Sequence, residues 1–187
     1  MTPTPAQAAN AAAEPAARRA AASTKFLAFS VDDTAYGMPV LRVREIIGLL
    51  DITPVPQVAR HVRGVVNLRG KVIPVVDLRV TFGRPASGDR ERSCIVVVDV
   101  RTSRGPSLMG LIVDAVSEVI ALGPADVESP PEVGRSDEQG YLLGIARGRS
   151  GVRMLLDIDR LLGVDALPAA PPAHPAADAA SDDPGTS

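Results

Sequence analysis

Short apolar runs of strand length, broken by polar residues, glycine and proline, dominate the pattern along this chain. Lys25–Val31 is apolar up to a break at Asp32 and Asp33, and Thr34–Val40 reads as its hairpin partner. Leu41–Ile47 carries apolar residues at 43, 46 and 47, the spacing that predicts one or two helical turns, with Gly48 as the stop. Leu49–Val55 predicts a strand running into a proline-bearing loop at 54–56. Gly64–Leu68 and Lys71–Val76 predict two strands joined by Arg69 and Gly70, and Pro74 places the second at an edge or a bulge. Asp77–Phe82 predicts a short helix, because Asp is a favoured N-cap and Gly83 a favoured terminator. Cys94–Val100 is an unbroken Val-rich run, the pattern of a strand buried on both faces. Leu108–Val113, Ala115–Leu122, Tyr141–Ala146 and Val152–Leu156 predict four more strands, and residues 157–163 a closing helix. About ten strands and two or three short helices, with strands spaced by roughly 8–12 residues, predict an all-β barrel or sandwich. No regular strand–helix alternation supports a parallel sheet wrapped by helices.

Composition divides the chain into three parts. Residues 1–23 hold 11 Ala and 3 Pro, and residues 164–187 hold 8 Ala, 5 Pro and 4 Asp. Neither segment has the apolar period needed to offset its ordering entropy, so both are expected to be disordered tails around a folded middle at 24–163. The head lacks the apolar stretch of a secretory signal, since Glu14, Arg18 and Arg19 interrupt its Ala run. The middle has 18 basic and 17 acidic residues, near neutrality, which gives no strong pull toward nucleic acid or anionic lipid. The whole chain has three Phe, two Tyr and no Trp, so a base-stacking nucleic-acid barrel is poorly equipped. No apolar run approaches the length of a membrane span. The single Cys94 cannot form an internal disulfide, in keeping with a reducing cytoplasm, and reads as a small core residue.

The parts of an enzyme are missing from the pattern. There is no phosphate-binding Gly-rich loop with Lys, no His-Glu-x-x-His and no Gly-x-Ser-x-Gly elbow. The two histidines are His61, in a loop, and His174, in the tail. No cluster has the spacing of a calcium or zinc site, so no catalytic residue, cofactor or metal is expected. Asp77 and Asp114, each following an apolar strand, read as caps or turn acceptors, as do Asp99, Asp157 and Asp159.

The most specific feature is the block Gly64-Val-Val-Asn-Leu-Arg-Gly-Lys-Val-Ile-Pro-Val-Val-Asp-Leu-Arg79. Around it, in order, stand Phe26–Phe29 with Tyr36-Gly37, Val43–Ile47, Ile52–Pro56, Gly110–Val119, Tyr141–Ala146 and Leu155–Leu162. Together these segments resemble the CheW family of chemotaxis coupling proteins over about Lys25 to Gly163. One departure is Gln57–Arg60, where the family often has Asn and Pro. The resemblance implies an all-β fold of two intertwined five-stranded SH3-like barrels, with two or three short helices. It places the first barrel at roughly 34–92 and the second at roughly 25–33 plus 93–163. It further implies a non-enzymatic adaptor that couples the cytoplasmic tip of methyl-accepting chemoreceptors to the regulatory domain of the histidine kinase CheA. Such a protein would be cytoplasmic and peripheral to the inner membrane through receptor arrays, with no membrane insertion and no nucleic-acid partner. Neither the receptor class nor the pathway served follows from the resemblance. The same domain type also occurs as a module of larger proteins.

By that resemblance five residues form a receptor-binding groove: Val40, Val43, Glu45, Ile46 and Arg69. Read from the residues alone, Arg69 is a solvated turn residue. Glu45 lies on the polar side of the expected 41–47 helix, and the valines and isoleucine are ordinary core. The family reading instead pairs Glu45 with Arg69 and puts the apolar set at the rim of a groove for a receptor helix hairpin. Gly70 is expected to supply a positive φ in the turn.

Overall fold

The Val-rich run predicted to be buried on both faces sets the architecture. In the computed structural model this run is strand β6 (Cys94–Thr102), and Ile95–Val98 are fully buried. The structure describes residues 23–85, 88, 91–102, 105–130, 140–148 and 151–162. The expectations for the head and tail therefore lie outside the described residues, apart from Ser23.

Among the described residues eleven strands form two sheets. The six-stranded sheet runs β8 (Ala115–Leu122), β1 (Thr24–Val31), β2 (Thr34–Pro39), β11 (Gly151–Leu156), β10 (Leu142–Gly148) and β9 (Val127–Glu128). The five-stranded sheet runs β3 (Val43–Gly48), β6, β7 (Gly105–Val113), β5 (Lys71–Asp77) and β4 (Val62–Leu68). The all-β, two-barrel expectation holds, with the two-residue β9 as a sixth strand in one sheet. The sheets divide the chain differently from the expected boundaries. β2 pairs with β1 and β11 rather than with the first barrel, and β6 and β7 belong to the five-stranded sheet. Single-residue and short-turn connections at Asp114 and Val40–Arg42 carry the chain from one sheet to the other. A local sequence pattern carries no mark of such a crossing.

Alternation along β6 explains the core. Val96, Val98 and Val100 enter a cluster shared by both sheets, with Leu27, Phe29, Met38, Val76 and Leu111. Ile95 and Val97 point the other way, into a cluster of the five-stranded sheet with Val66, Ile73, Val75 and Ile112. A third, smaller cluster of Phe26, Ala146 and Leu155 fills the six-stranded sheet. β1 repeats the rule: Leu27, Phe29 and Val31 face the shared cluster while Phe26 faces the third.

The five-stranded sheet closes on itself through one bridge. Thr53 and Val65 exchange backbone hydrogen bonds at 2.9 Å, which joins the segment after edge strand β3 to the other edge strand, β4. Gly64 permits this approach. Its φ is +148°, and a Cβ there would lie 2.2 Å from the Thr53 carbonyl oxygen. The strand expected at 49–55 is thus reduced to this single bridge.

Two further expectations are corrected. β5 is an inner strand, not an edge; Pro74 is tolerated because the parallel ladder to β7 begins only at Val75. The helix expected at 41–47 is a 3₁₀ turn, Val40–Arg42, followed by β3. A bulge between Val43 and Glu45 accounts for the misleading spacing. Val43 lies opposite Val98 and Ile46 opposite Val96, both in the shared cluster, while Glu45 and Ile47 lie opposite Val97 and Ile95. One extra residue in a strand turns a period of two into an apparent i, i+3 repeat.

Among the described residues two short α-helices fall where capping residues predict them. Asp77 accepts from the Arg79 amide at 3.0 Å and begins α1 (Leu78–Thr81). Asp157 accepts from the amides of Asp159 and Arg160 at 3.1 and 3.2 Å and begins α2 (Ile158–Leu162).

Candidate partner-binding face

Arg69 occupies the tip of the β4–β5 hairpin, where Leu68 pairs with Lys71 and only Arg69 and Gly70 make the turn. Both have positive φ, 51° and 82°, the geometry of a type I′ turn that matches strand twist. The side chain of Asn67 accepts from the Gly70 amide at 2.8 Å and pins the turn. Gly70 fits as expected. Arg69 does not: a non-glycine residue at this φ costs on the order of 1 kcal/mol.

The strained turn carries an ion pair. Arg69 Nη2 donates to Glu45 Oε2 at 2.8 Å, bridging the hairpin tip to β3. Arg69 is 79% exposed and Glu45 25%. An exposed pair of this kind stabilises a fold by only about 0–1 kcal/mol. Its structural effect is to hold the guanidinium over the β3 face.

Val40, Val43 and Ile46, the apolar members of the expected groove, differ in burial. Val40 and Val43 are partly buried against the shared cluster. Ile46 is 44% exposed, and the neighbouring Leu41, which the sequence pattern did not single out, is 91% exposed. Leu41 stands out of the 3₁₀ turn because the turn buries none of its residues. The segment that leads into and forms β3 thus exposes Leu41 and Ile46, while Glu45 of the same strand, opposite Val97 rather than Val96, carries the ion pair to Arg69.

Between the β4–β5 turn and the β6–β7 hairpin lies an open cleft of about 350 Å³, lined by residues 70–73 and 106–108. Its one charged side chain is Lys71, and it contains neither carboxylate nor imidazole. Among the described residues no group of three His, Cys, Asp or Glu side chains is placed to hold a metal ion. Burial pushes the Cys94 thiol above its usual range, and a backbone hydrogen bond at Val116 only partly opposes this. Such a thiol is a poor nucleophile at neutral pH.

One buried cluster went unread in the sequence. Arg79, in α1, is 1% exposed and donates through Nε to Asp114 Oδ1 at 2.7 Å. Its Nη2 also reaches Ser93 Oγ at 3.3 Å. Asp114 Oδ2 accepts from the Asp32 amide at 2.6 Å, and Asp32 pairs with Arg84 at 3.1 Å. At the other end Asp77 lies 3.5 Å from Arg63. A run of contacts thus links Arg63 on β4 to Arg84 through Asp77, Arg79, Asp114 and Asp32, with the Arg79 and Asp32 backbone amides supplying two of its links. Burial alone would lower the Arg79 pKa, but the hydrogen bond and charge of Asp114 outweigh it and hold the guanidinium above its ordinary value. Asp114 is more than the turn acceptor expected from its position. Asp99 and Asp159 likewise pair with Arg44 and Arg42.

Comparison with known proteins shows the family. Residues 25–166 match the family model described as CheW-like domain. The chain is 32% identical over 145 residues to a chemotaxis protein CheW of Klebsiella aerogenes, covering 76% of this chain and 84% of that protein. It is 32% identical over 141 residues to the CheW of Treponema pallidum, covering 73% and 81%. The crystal structure of the scaffolding protein TtCheW from Thermoanaerobacter tengcongensis superposes with a TM-score of 0.68 at 33% identity, covering 77% of this chain and 95% of that one.

Proposed function

The chain belongs to the CheW-like family and is a chemotaxis coupling adaptor; on that premise we propose that it acts without chemistry, by holding the kinase CheA against the cytoplasmic tip of chemoreceptors. The observation that carries this reading is the Arg69–Glu45 pair on β3, a strand whose approach and length also leave apolar surface exposed at Leu41 and Ile46. A receptor tip is a hairpin of helices, and an amphipathic helix seats its apolar stripe in such a surface while a charged edge fixes its register. The regulatory domain of the kinase docks elsewhere, at a barrel end. With both partners held in one geometry, a small receptor motion changes kinase activity, provided the binding free energies differ between the two states. The protein then works in the cytoplasm and reaches the inner membrane only through receptors. Among the described residues no helix is long and apolar enough to cross a membrane.

The test is co-sedimentation of the protein with receptor-bearing membranes, with and without kinase, together with kinase autophosphorylation. Receptor-dependent stimulation of the kinase is expected. An adaptor that neither sediments nor stimulates would overturn the proposal.

A further inference from the structure

The turn that presents Leu41 has few holds of its own beyond Val40, which packs partly against the shared cluster. Val40–Arg42 has one capping hydrogen bond, from the Val43 amide to the Val40 carbonyl, no side-chain cap and no buried residue. What reaches across from it is Arg42. Its guanidinium pairs with Asp159 Oδ1 in α2, and both side chains are largely buried, at 20% and 29% exposure. The same Oδ1 accepts from the Arg101 amide at 2.9 Å, near the end of β6. Asp159 is itself placed by α2, which Asp157 caps and which Ile158 and Leu162 anchor in the shared cluster. A path of direct contacts therefore runs from the buried core through α2 and Asp159 to Arg42, and so to the turn between Val40 and Val43.

We infer that Arg42 and Asp159 are positioning residues: their ion pair fixes the 3₁₀ turn, and so sets how tightly the Val40–Leu41–Val43 surface grips its helical partner. The inference rests on the proposed receptor reading of that surface. Without the pair the turn samples several conformations, and the partner must select the competent one, which lowers the apparent affinity by the competent fraction. The closing helix of the fold thereby contributes to a surface that it does not itself form.

A double-mutant cycle in the full-length protein tests this. Asp159→Asn removes the charge but keeps an oxygen for the Arg101 amide, and Arg42→Gln removes the other half of the pair. Sedimentation with receptor-bearing membranes is the readout. Each single variant is expected to bind about fivefold more weakly, the double variant no more weakly than either single, and Arg42→Lys to recover most of the loss. Parent affinity in both single variants would sink the inference. So would a further loss from Arg42→Gln in the Asp159→Asn background, because Arg42 would then touch the partner directly. A melting temperature lowered by more than about 10 °C in a single variant would make the pair a determinant of folding instead, and would also overturn it. Failure of the parent protein itself to bind, or undiminished binding by Leu41→Ser, counts against the receptor reading and is thereby told apart from failure of the pair.

Discussion

Arg79 and Asp114 meet at 2.7 Å in the interior, each almost fully buried, one in α1 after β5 and the other on the single-residue link between β7 and β8. Breaking a buried pair strands a charge out of water, which typically costs about 3–5 kcal/mol. Asp114→Ala is therefore expected to destabilise strongly, as is Arg79→Ala, with a double variant well short of the sum. Urea unfolding of the three variants measures this. Additive losses would show that the two residues act independently.

Arg69 is expected to separate stability from function. Asn tolerates the left-handed region far better than Arg. Arg69→Asn relieves strain of about 1 kcal/mol and loses an exposed pair worth about the same or less. The variant should thus be no less stable than the parent while binding receptor more weakly. A clear fall in the denaturation midpoint would make Arg69 structural.

The exposed members of the apolar surface are better probes than the half-buried ones. Val43→Glu disturbs both the surface and the shared cluster, so its effect is ambiguous. Leu41→Ser removes a side chain that the fold leaves in solvent, and Ile46→Ser one that is 44% exposed. Leu41→Ser should stay within about 0.5 kcal/mol of parent stability and Ile46→Ser should lose about 1 kcal/mol, and both should weaken receptor sedimentation. Thermal melts alongside the binding assay check both halves of the prediction.

Gly64→Ala should be among the most damaging single-methyl changes in the chain. The added carbon would meet the Thr53 carbonyl at 2.2 Å, at a φ that L-residues avoid. Relief requires breaking the Thr53–Val65 bridge that closes the five-stranded sheet. A loss of more than about 2 kcal/mol is expected by chemical denaturation.

Tyr36 gives a pH signature. It is buried in a stack with Phe29 and Phe82, at ring separations of 5.8 and 4.7 Å. Burial pushes its phenol above the usual value of 10.0, with Arg84 partly opposing. The folded state therefore holds this proton more tightly than the unfolded state does. That stabilisation is full below the unfolded pKa and is lost as pH rises through the folded one. Tyrosinate absorbance should show one of the two tyrosines ionising late, and Tyr36→Phe should remove that late component.

Local pattern was enough for the hairpins, for the doubly buried β6 and for the Asp77 and Asp157 caps, because each follows from residues within a few positions of one another. It failed at 41–47, where a bulge at Arg44 counterfeits helical spacing. It also failed wherever partners are distant in sequence. Arg79 and Asp114 are 35 positions apart and Arg42 and Asp159 are 117, so neither pair leaves a local trace. Glu45 and Arg69, 24 positions apart, were paired in advance only through the family resemblance, and the geometry now brings them together. Leu41 was missed because a lone leucine beside a predicted helix looks like core until the turn exposes it.

Strand β6 feeds a hydrophobic cluster on each of its faces, and neither cluster is complete without it. The two barrels cannot come apart as beads on a string: to melt one is to strip a wall from the packing that joins it to the other. Heating should therefore give a single cooperative transition, and any excised half of the chain would face water along a Val-rich surface with nothing to cover it.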